Sequence, residues 1–129
     1  MRIEVPFLPP AEYSGNWRGF WPQRYHAGRE YGLAVFSYCV DFKNRLGSAF
    51  RPIRVAKLDL TLVFPEGRIR DRDNLISRFK PGLDAIVQAG LIAGDDSKRL
   101  HWGDVTIEID RHRAPLTIIE LKEEAKIGT

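Results

Sequence analysis

The sequence predicts an α+β protein with a single domain, 1–129, in the order β-α-β-α-β-β. The chain has 129 residues, which suits one compact domain. Segments with an apolar residue at every second position alternate with segments whose apolar residues follow helical spacing. Two strand-like segments then follow each other without a helix between them. This order predicts a two-layer sandwich, in which one mixed sheet carries two helices on one face.

The first strand and the first helix are predicted from their apolar spacing and their end signals. Arg2–Phe7 predicts a short strand, and Pro6 places it at a sheet edge because proline cannot donate to a central ladder. Tyr25–Leu46 has apolar residues at helical spacing, and Gly47 is the expected stop. That apolar stripe indicates core packing and nothing more.

The segment between them is rich in large aromatic residues and arginines. We considered two interpretations of its Trp17–Tyr25 loop. The loop either folds back on the core or on a second subunit, or it contacts a nucleic-acid backbone or an exposed base. The aromatic residues are Tyr13, Trp17, Phe20, Trp21 and Tyr25.

The second strand and the second helix are the most regular parts of the sequence. Arg51–Phe64 alternates from Leu58 onward, which predicts a half-buried strand. Asp73–Ala89 follows helical spacing and is expected to stop at Gly90. Pro81 leaves two alternatives open. Either one helix kinks before Pro81, or a short turn precedes a main helix with Pro81 at its first position.

Two further strands complete the predicted sheet. Leu100–Asp110 and Leu116–Leu121 are strand-like, and 111–115 is interpreted as a hairpin connection between them. The charged tail after Leu121 is expected to fray.

Composition excludes several classes of protein. One cysteine, Cys39, cannot form an internal disulfide, and with three histidines it cannot build a zinc finger. No apolar run reaches the roughly 18 residues of a membrane span, and the N-terminus lacks a signal-peptide core. We therefore expect a cytoplasmic protein without a membrane partner. A net charge of +3 permits a polyanionic partner without requiring one.

Four aspartates lie at the two ends of the second predicted helix. Asp71 and Asp73 lie at its start, and Asp95 and Asp96 follow its end. Asp73 alone could serve as a helix cap, which would leave the other three unexplained. Adjacent carboxylates repel each other unless a cation neutralises them, and Mg²⁺ takes such oxygen ligands. An EF-hand is excluded, because the positions that need Gly and Glu hold other residues.

Basic residues accompany these acids. Lys80 shares one line of the predicted helix with Asp73 and Asp84, at the border of core and solvent. Four arginines interleave with the acids: Arg68, Arg70, Arg72 and Arg78. Two interpretations stay open. The charges form a self-paired, solvated cluster, or the arginines engage phosphates while carboxylates hold a metal and Lys80 stabilises phosphoryl charge.

This constellation resembles the RusA family of Holliday junction resolvases. The resemblance is carried by Arg-Asp-Arg-Asp-Asn at 70–74, Lys80 with Asp84 four residues later, Ala89-Gly90, and the pair Asp95-Asp96. These residues cover about a quarter of the chain, and the predicted order of strands and helices agrees with that fold. Pro9-Pro10 followed by Asn16 is a weaker similarity.

The resemblance implies a homodimeric, Mg²⁺-dependent endonuclease, with Mn²⁺ as a possible substitute, that nicks four-way DNA junctions. It implies that Asp71, Asp73 and Asp96 are metal-binding catalytic acids, that Lys80 is the catalytic lysine, and that Asp95 is either an additional ligand or a structural partner. The expected DNA contacts are Arg68, Arg70, Arg72 and Asn74. The alternative is a branched-DNA-binding module that has lost catalysis.

Overall fold

The computed structural model describes residues 1–15 and 17–124, so Asn16 and the end of the tail lie outside the described residues. It confirms the predicted α+β class and the order β-α-β-α-β-β. The elements are β1 (Arg2–Val5), α1 (Trp21–Leu46), β2 (Ala56–Phe64), α2 (Arg72–Gln88), β3 (Leu100–Ile109) and β4 (Leu116–Glu123). Short 3-10 turns at Ala11–Tyr13 and Gly47–Ala49 lie on either side of α1.

The four strands form one mixed sheet in the order β1-β4-β2-β3. β2 and β3 are parallel, whereas β4 runs antiparallel to both β1 and β2. The predicted hairpin at 111–115 is therefore wrong. The connection crosses the end of β2, where the Asp110 amide donates to the Phe64 carbonyl, and β4 enters the middle of the sheet. Three successive residues of β4, 117–119, are buried, which suits a strand in the interior of the sheet.

The core lies between the sheet and the two helices. Leu58, Leu60 and Leu62 of β2 are fully buried on the helix side of the sheet. Burying each of these side chains contributes roughly 1.5–3 kcal/mol. Tyr31 of α1 and Phe79 of α2 meet edge to face, with ring centroids 6.3 Å apart. The leucine alternation of β2 thus positions α2, which carries most of the candidate site residues.

Several element boundaries differ from the predictions. α1 begins at Trp21, four residues early, because Pro22 lacks the N–H that the first helical turn leaves unbonded. β2 begins at Ala56, and Ile53 before it makes only an isolated bridge to Ile92. At the same end of the sheet, β4 continues two residues beyond the predicted Leu121, so that Glu123 pairs with Ala56.

Pro81 lies inside one continuous helix, so the alternative that starts the main helix at Pro81 is wrong. Proline lacks the N–H that would bond to the Ser77 carbonyl, so that bond of the helical ladder is missing. Gly32 of α1 packs against the Pro81 carbonyl, where an added Cβ would lie 3.3 Å from the oxygen. The close approach of the two helices favours glycine at this crossing.

Neither helix in the described part of the chain is long and apolar enough to cross a membrane.

Candidate metal and nucleic-acid site

The N-terminus of α2 carries the first pair of acids. Asp71 is the N-cap: its Oδ1 accepts a hydrogen bond from the Asp73 amide at 3.0 Å. The capping role considered for Asp73 therefore belongs to Asp71. Asp73 lies in the first helical turn, and its carboxylate has no hydrogen bond or ion pair with the described residues. Capping explains Asp71 and leaves the exposed Asp73 carboxylate without a structural role.

Lys80 joins α2 to the loop that follows it. Its Nζ lies 2.9 Å from Asp84 Oδ1 and 3.0 Å from Asp95 Oδ2. The hydrogen bonds that Lys80 donates to Asp84, and then to Asp95, hold the pKa of Lys80 above its usual range. The same contact with Lys80 lowers the pKa of Asp95. Lys80 is therefore a fixed positive charge, although all three side chains remain substantially exposed to water.

Asp96, the second member of the later acidic pair, organises the turn into β3. Its Oδ1 accepts from the Lys98 amide at 3.0 Å, and its Oδ2 lies 3.3 Å from Arg99 Nη1. Its carbonyl accepts from the amides of Arg99 and Leu100. Asp96 thus has structural partners, whereas Asp95 contacts α2 through Lys80.

The four aspartates of the predicted metal site do not lie together in one cluster. Within 1–15 and 17–124, no three His, Cys, Asp or Glu side chains are close enough to hold a metal ion together. Mg²⁺ needs only one or two protein carboxylates, with water and substrate phosphate as its other ligands. Asp71 and Asp73, which are adjacent at the start of α2, suit that requirement. A shared site that also includes Asp95 or Asp96 remains a prediction.

The predicted DNA-contact residues lie in the segment between β2 and α2 and in the first turn of α2. Arg68 is exposed beside Glu66 at 3.8 Å, and Arg72 donates to the Gly103 carbonyl at 3.1 Å. Arg70 lies 3.6 Å above the Phe64 ring, and its Nη1 donates to the Glu66 and Arg68 carbonyls. These contacts present three guanidinium groups near the N-terminus of α2.

A shallow cleft of about 310 Å³ separates this segment from the N-terminal loop. Arg70, Asp71, Asn74 and Arg78 form one side of the cleft, and Trp17 is on the other. The Trp17 indole Nε1 is buried without an acceptor in the described residues. Such a donor costs roughly 1–3 kcal/mol. The cleft is therefore rich in donors and poor in acceptors.

The aromatic loop has both packed and exposed residues. Arg24 lies 4.3 Å from the centre of the Tyr13 ring and donates to the Glu12 and Ser14 carbonyls. Phe20 and Trp21 remain 71% and 67% exposed. Tyr13 thus packs against α1, whereas Phe20 and Trp21 do not fold back on the core. Packing of these two residues on a second subunit, or their contact with nucleic acid, stays a prediction.

Sequence reasoning gave no site role to Asp84 and no cleft role to Arg78 or Trp17. The four-residue spacing of Lys80 and Asp84 in the sequence could have indicated the contact between these two residues. Arg78 is held by two hydrogen bonds to the Pro9 carbonyl, at 2.8 and 3.3 Å. No local sequence pattern predicts that contact, because Arg78 and Pro9 are 69 positions apart in the chain.

No family model matches this chain. A search of curated proteins finds no significant match either. Fold and site together define a small α+β protein with paired acids, a fixed lysine and an arginine-lined cleft at one helix.

Proposed function

We propose that this protein is a metal-dependent endonuclease that cuts branched DNA, as the resemblance to RusA-type junction resolvases implies. The observation that carries the proposal is the position of Lys80 between Asp84 and Asp95. This contact brings one acid of the later pair beside the helix whose start carries Asp71 and Asp73. A lysine that is held protonated beside several acids is more typical of a site for phosphoryl chemistry than of charges that are merely solvated at a surface.

The residues of the chain have distinct roles in this proposal. Lys80, fixed by two carboxylates, offers positive charge to the phosphate as negative charge accumulates during hydrolysis. Asp71, Asp73 and Asp96 are the proposed catalytic acids, and Asp95 orients Lys80. The arginines at 68, 70 and 72, together with Asn74, hold the DNA backbone.

The donor set suits a hard divalent cation. Asp71 and Asp73 would hold Mg²⁺, or Mn²⁺ in its place, with Asp95 and Asp96 as further candidates. When bound, such an ion activates water and stabilises the leaving oxygen. The unpartnered Asp73 carboxylate is the best reason to expect a cation here, because it has no structural partner in the described residues.

A homodimer in the cytoplasm fits this activity. Two opposed nicks in a two-fold junction call for two sites related by the same symmetry. The expected partner is DNA, and the four-way junction is the first substrate to test.

The deciding experiment compares a labelled synthetic four-way junction with linear duplex of matching sequence, in Mg²⁺, Mn²⁺ or chelator. We expect paired, metal-dependent nicks in the junction. Asp73→Asn should abolish cleavage while junction binding persists. Asp41→Asn is the matched control, because Asp41 is an exposed acid of α1 that pairs only with Arg45. Cleavage that survives Asp73→Asn would refute the proposal.

A second candidate is a branched-DNA-binding module without catalysis. The engagement of Asp95 by Lys80 and of Asp96 by Arg99 favours it, because neither acid is free for a metal in this arrangement. Junction binding without cleavage in either metal would support this candidate. Neither binding nor cleavage would return the acids to a capping and surface-charge role.

A further inference from the structure

The cleft between the N-terminal loop and α2 contains two arginines with no acidic partner. Neither Arg70 nor Arg78 forms an ion pair within the described residues, although six other lysine and arginine side chains do. Arg78 is partly buried, and burial together with the nearby Arg70 lowers its pKa. The two guanidinium groups therefore repel each other across the cleft, and no carboxylate of the described residues forms an ion pair with either of them.

Both arginines are held in place by one part of the guanidinium group. Arg78 uses Nε and Nη2 for the Pro9 carbonyl, and Arg70 uses Nη1 for two carbonyls. Within the described residues, Nη1 of Arg78 and both Nε and Nη2 of Arg70 have no acceptor. Phe64 also fixes the two groups, whose central carbons lie 3.6 Å and 5.8 Å from the centre of its ring.

The remaining walls supply further polar groups. Asn74 contributes an amide, and Trp17, another residue of the lining, has a buried indole N–H without an acceptor in the described residues. The one acid in the lining, Asp71, has an oxygen engaged by the Asp73 amide. Several fixed donors around one small space match an anion with more than one oxygen, which is the geometry that arginine recognises in phosphates.

We propose that this cleft binds one phosphodiester group of the DNA backbone, with Arg78 and Arg70 as its two principal contacts. This inference rests on the proposed DNA-cutting function, and it places Arg78 and the Trp17 wall at one defined phosphate, whereas the sequence pattern indicates only a general contact with nucleic acid. The bound phosphate belongs to a nucleotide near the one presented to Asp71 and Lys80. The cleft therefore sets the register of the DNA strand on the site.

The test measures junction binding in chelator, where cleavage cannot occur, over a series of salt concentrations. Each phosphate contact that is lost should reduce the slope of log affinity against log salt by about 0.9. We expect Arg78→Gln and Arg70→Gln each to show that reduction, with about tenfold weaker binding. Arg54→Gln is the matched control, because Arg54 is exposed and precedes β2, at the strand end opposite Phe64. Arg54→Gln should retain the wild-type affinity for the junction and the wild-type dependence of that affinity on salt.

A second readout covers the possibility that Arg78→Gln disturbs folding through its bond to Pro9. Arg70→Gln leaves that bond intact, and thermal melting identifies any unfolded variant. The Trp17 indole resonance, assigned with Trp17→Phe, should shift when a junction binds. It should not shift when one neutral methylphosphonate replaces the phosphate at the affected position.

The outcomes separate this inference from the proposed function. One outcome is that the wild type binds the junction without cutting it in either metal, while Arg78→Gln and Arg70→Gln show reduced salt slopes. That outcome would support the phosphate site in the cleft and refute the nuclease. Cleavage by the wild type, with Arg78→Gln and Arg70→Gln indistinguishable from Arg54→Gln, would overturn the cleft alone. A Trp17 shift with inorganic phosphate but not with DNA would also overturn it, because the site would then bind free phosphate.

Discussion

Lys80 Nζ lies 3.0 Å from Asp95 Oδ2, so an ion pair ties the middle of α2 to the loop that leads into β3. The two residues are 15 positions apart, and α2 must end and reverse direction before they can meet. Gly90 makes that reversal possible with a φ of +80°. The geometry of the loop therefore depends on both a backbone turn and a charge contact.

Replacing Lys80 with Met should separate activity from stability. We expect cleavage to fall at least about 100-fold, because the fixed positive charge on the phosphate is lost. The free energy of unfolding should change by no more than about 1 kcal/mol, since all three charged groups are exposed and screened. Denaturant titration beside a cleavage assay checks this. Arg45→Met, which breaks an exposed pair on α1, is the control and should leave both properties almost unchanged.

Tyr31 and Thr117 form a buried hydrogen bond of 2.9 Å between α1 and β4. Burial holds the pKa of Tyr31 well above its usual range, so the hydroxyl stays neutral in the fold. Tyr31→Phe should cost about 1 kcal/mol of the free energy of unfolding. Thr117→Val should cost roughly 1–3 kcal/mol, because it leaves the tyrosine hydroxyl buried without a partner. Equal costs from the two substitutions, measured by urea denaturation, would contradict this account.

Cys39 should make the protein sensitive to alkaline pH. It is fully buried, and desolvation raises the pKa of its thiol to about 12. In the unfolded chain the thiol ionises near its ordinary pKa of about 8.5. As pH rises, the Cys39 thiol therefore loses its proton in the unfolded state before it does so in the folded state. The free energy of unfolding falls over this range, from about pH 8.5 to about pH 12.

The measurement is the free energy of unfolding as a function of pH for the wild type and Cys39→Ala. The variant should be less stable at pH 7, because it loses packing, yet its stability should fall less steeply above about pH 8.5. Parallel curves would show that the thiol does not contribute. Native Cys39 should also resist a thiol reagent until the protein unfolds.

Gly90 should tolerate alanine poorly. Its φ of +80° is a left-handed conformation that costs an L-residue about 1–2 kcal/mol. Gly90→Ala should therefore lower the free energy of unfolding by about that amount. It should also weaken the Lys80–Asp95 contact, since the loop begins at this turn. Gly67→Ala is the control, because no atom lies within 4 Å of an added Cβ and its φ is not positive. Similar losses from both variants in thermal melts would contradict the argument.

Much of the fold was predictable from local sequence. The leucines at 58, 60 and 62 identify β2, and the apolar face of α2 follows from residues such as Phe79. The position of β4 was not predictable in the same way. Residues 116–121 read equally well as a hairpin partner of β3, because strand pairing depends on how the whole sheet covers its core. The two buried isoleucines at 118 and 119 identify a central strand only when both faces are known.

The candidate site was predictable in composition but not in assembly. The acids, Lys80 and the interleaved arginines are visible in the sequence. Which of them touch depends on where the loop after Gly90 returns, and that direction is set by tertiary packing. The bond from Arg78 to Pro9 is the clearest example, because it joins the start of the chain to the middle of α2.

The strand order has a consequence for synthesis on the ribosome. β1 pairs with β4 and with no other described strand, and β4 also separates β1 from β2. β1 leaves the exit tunnel before β4, so β1 has no partner strand until β4 has emerged. A nascent chain ending at Pro115 can form the β2-α2-β3 unit, while β1 remains unpaired. Completion of the sheet is thus a late event, which coincides with the emergence of residues 116–123.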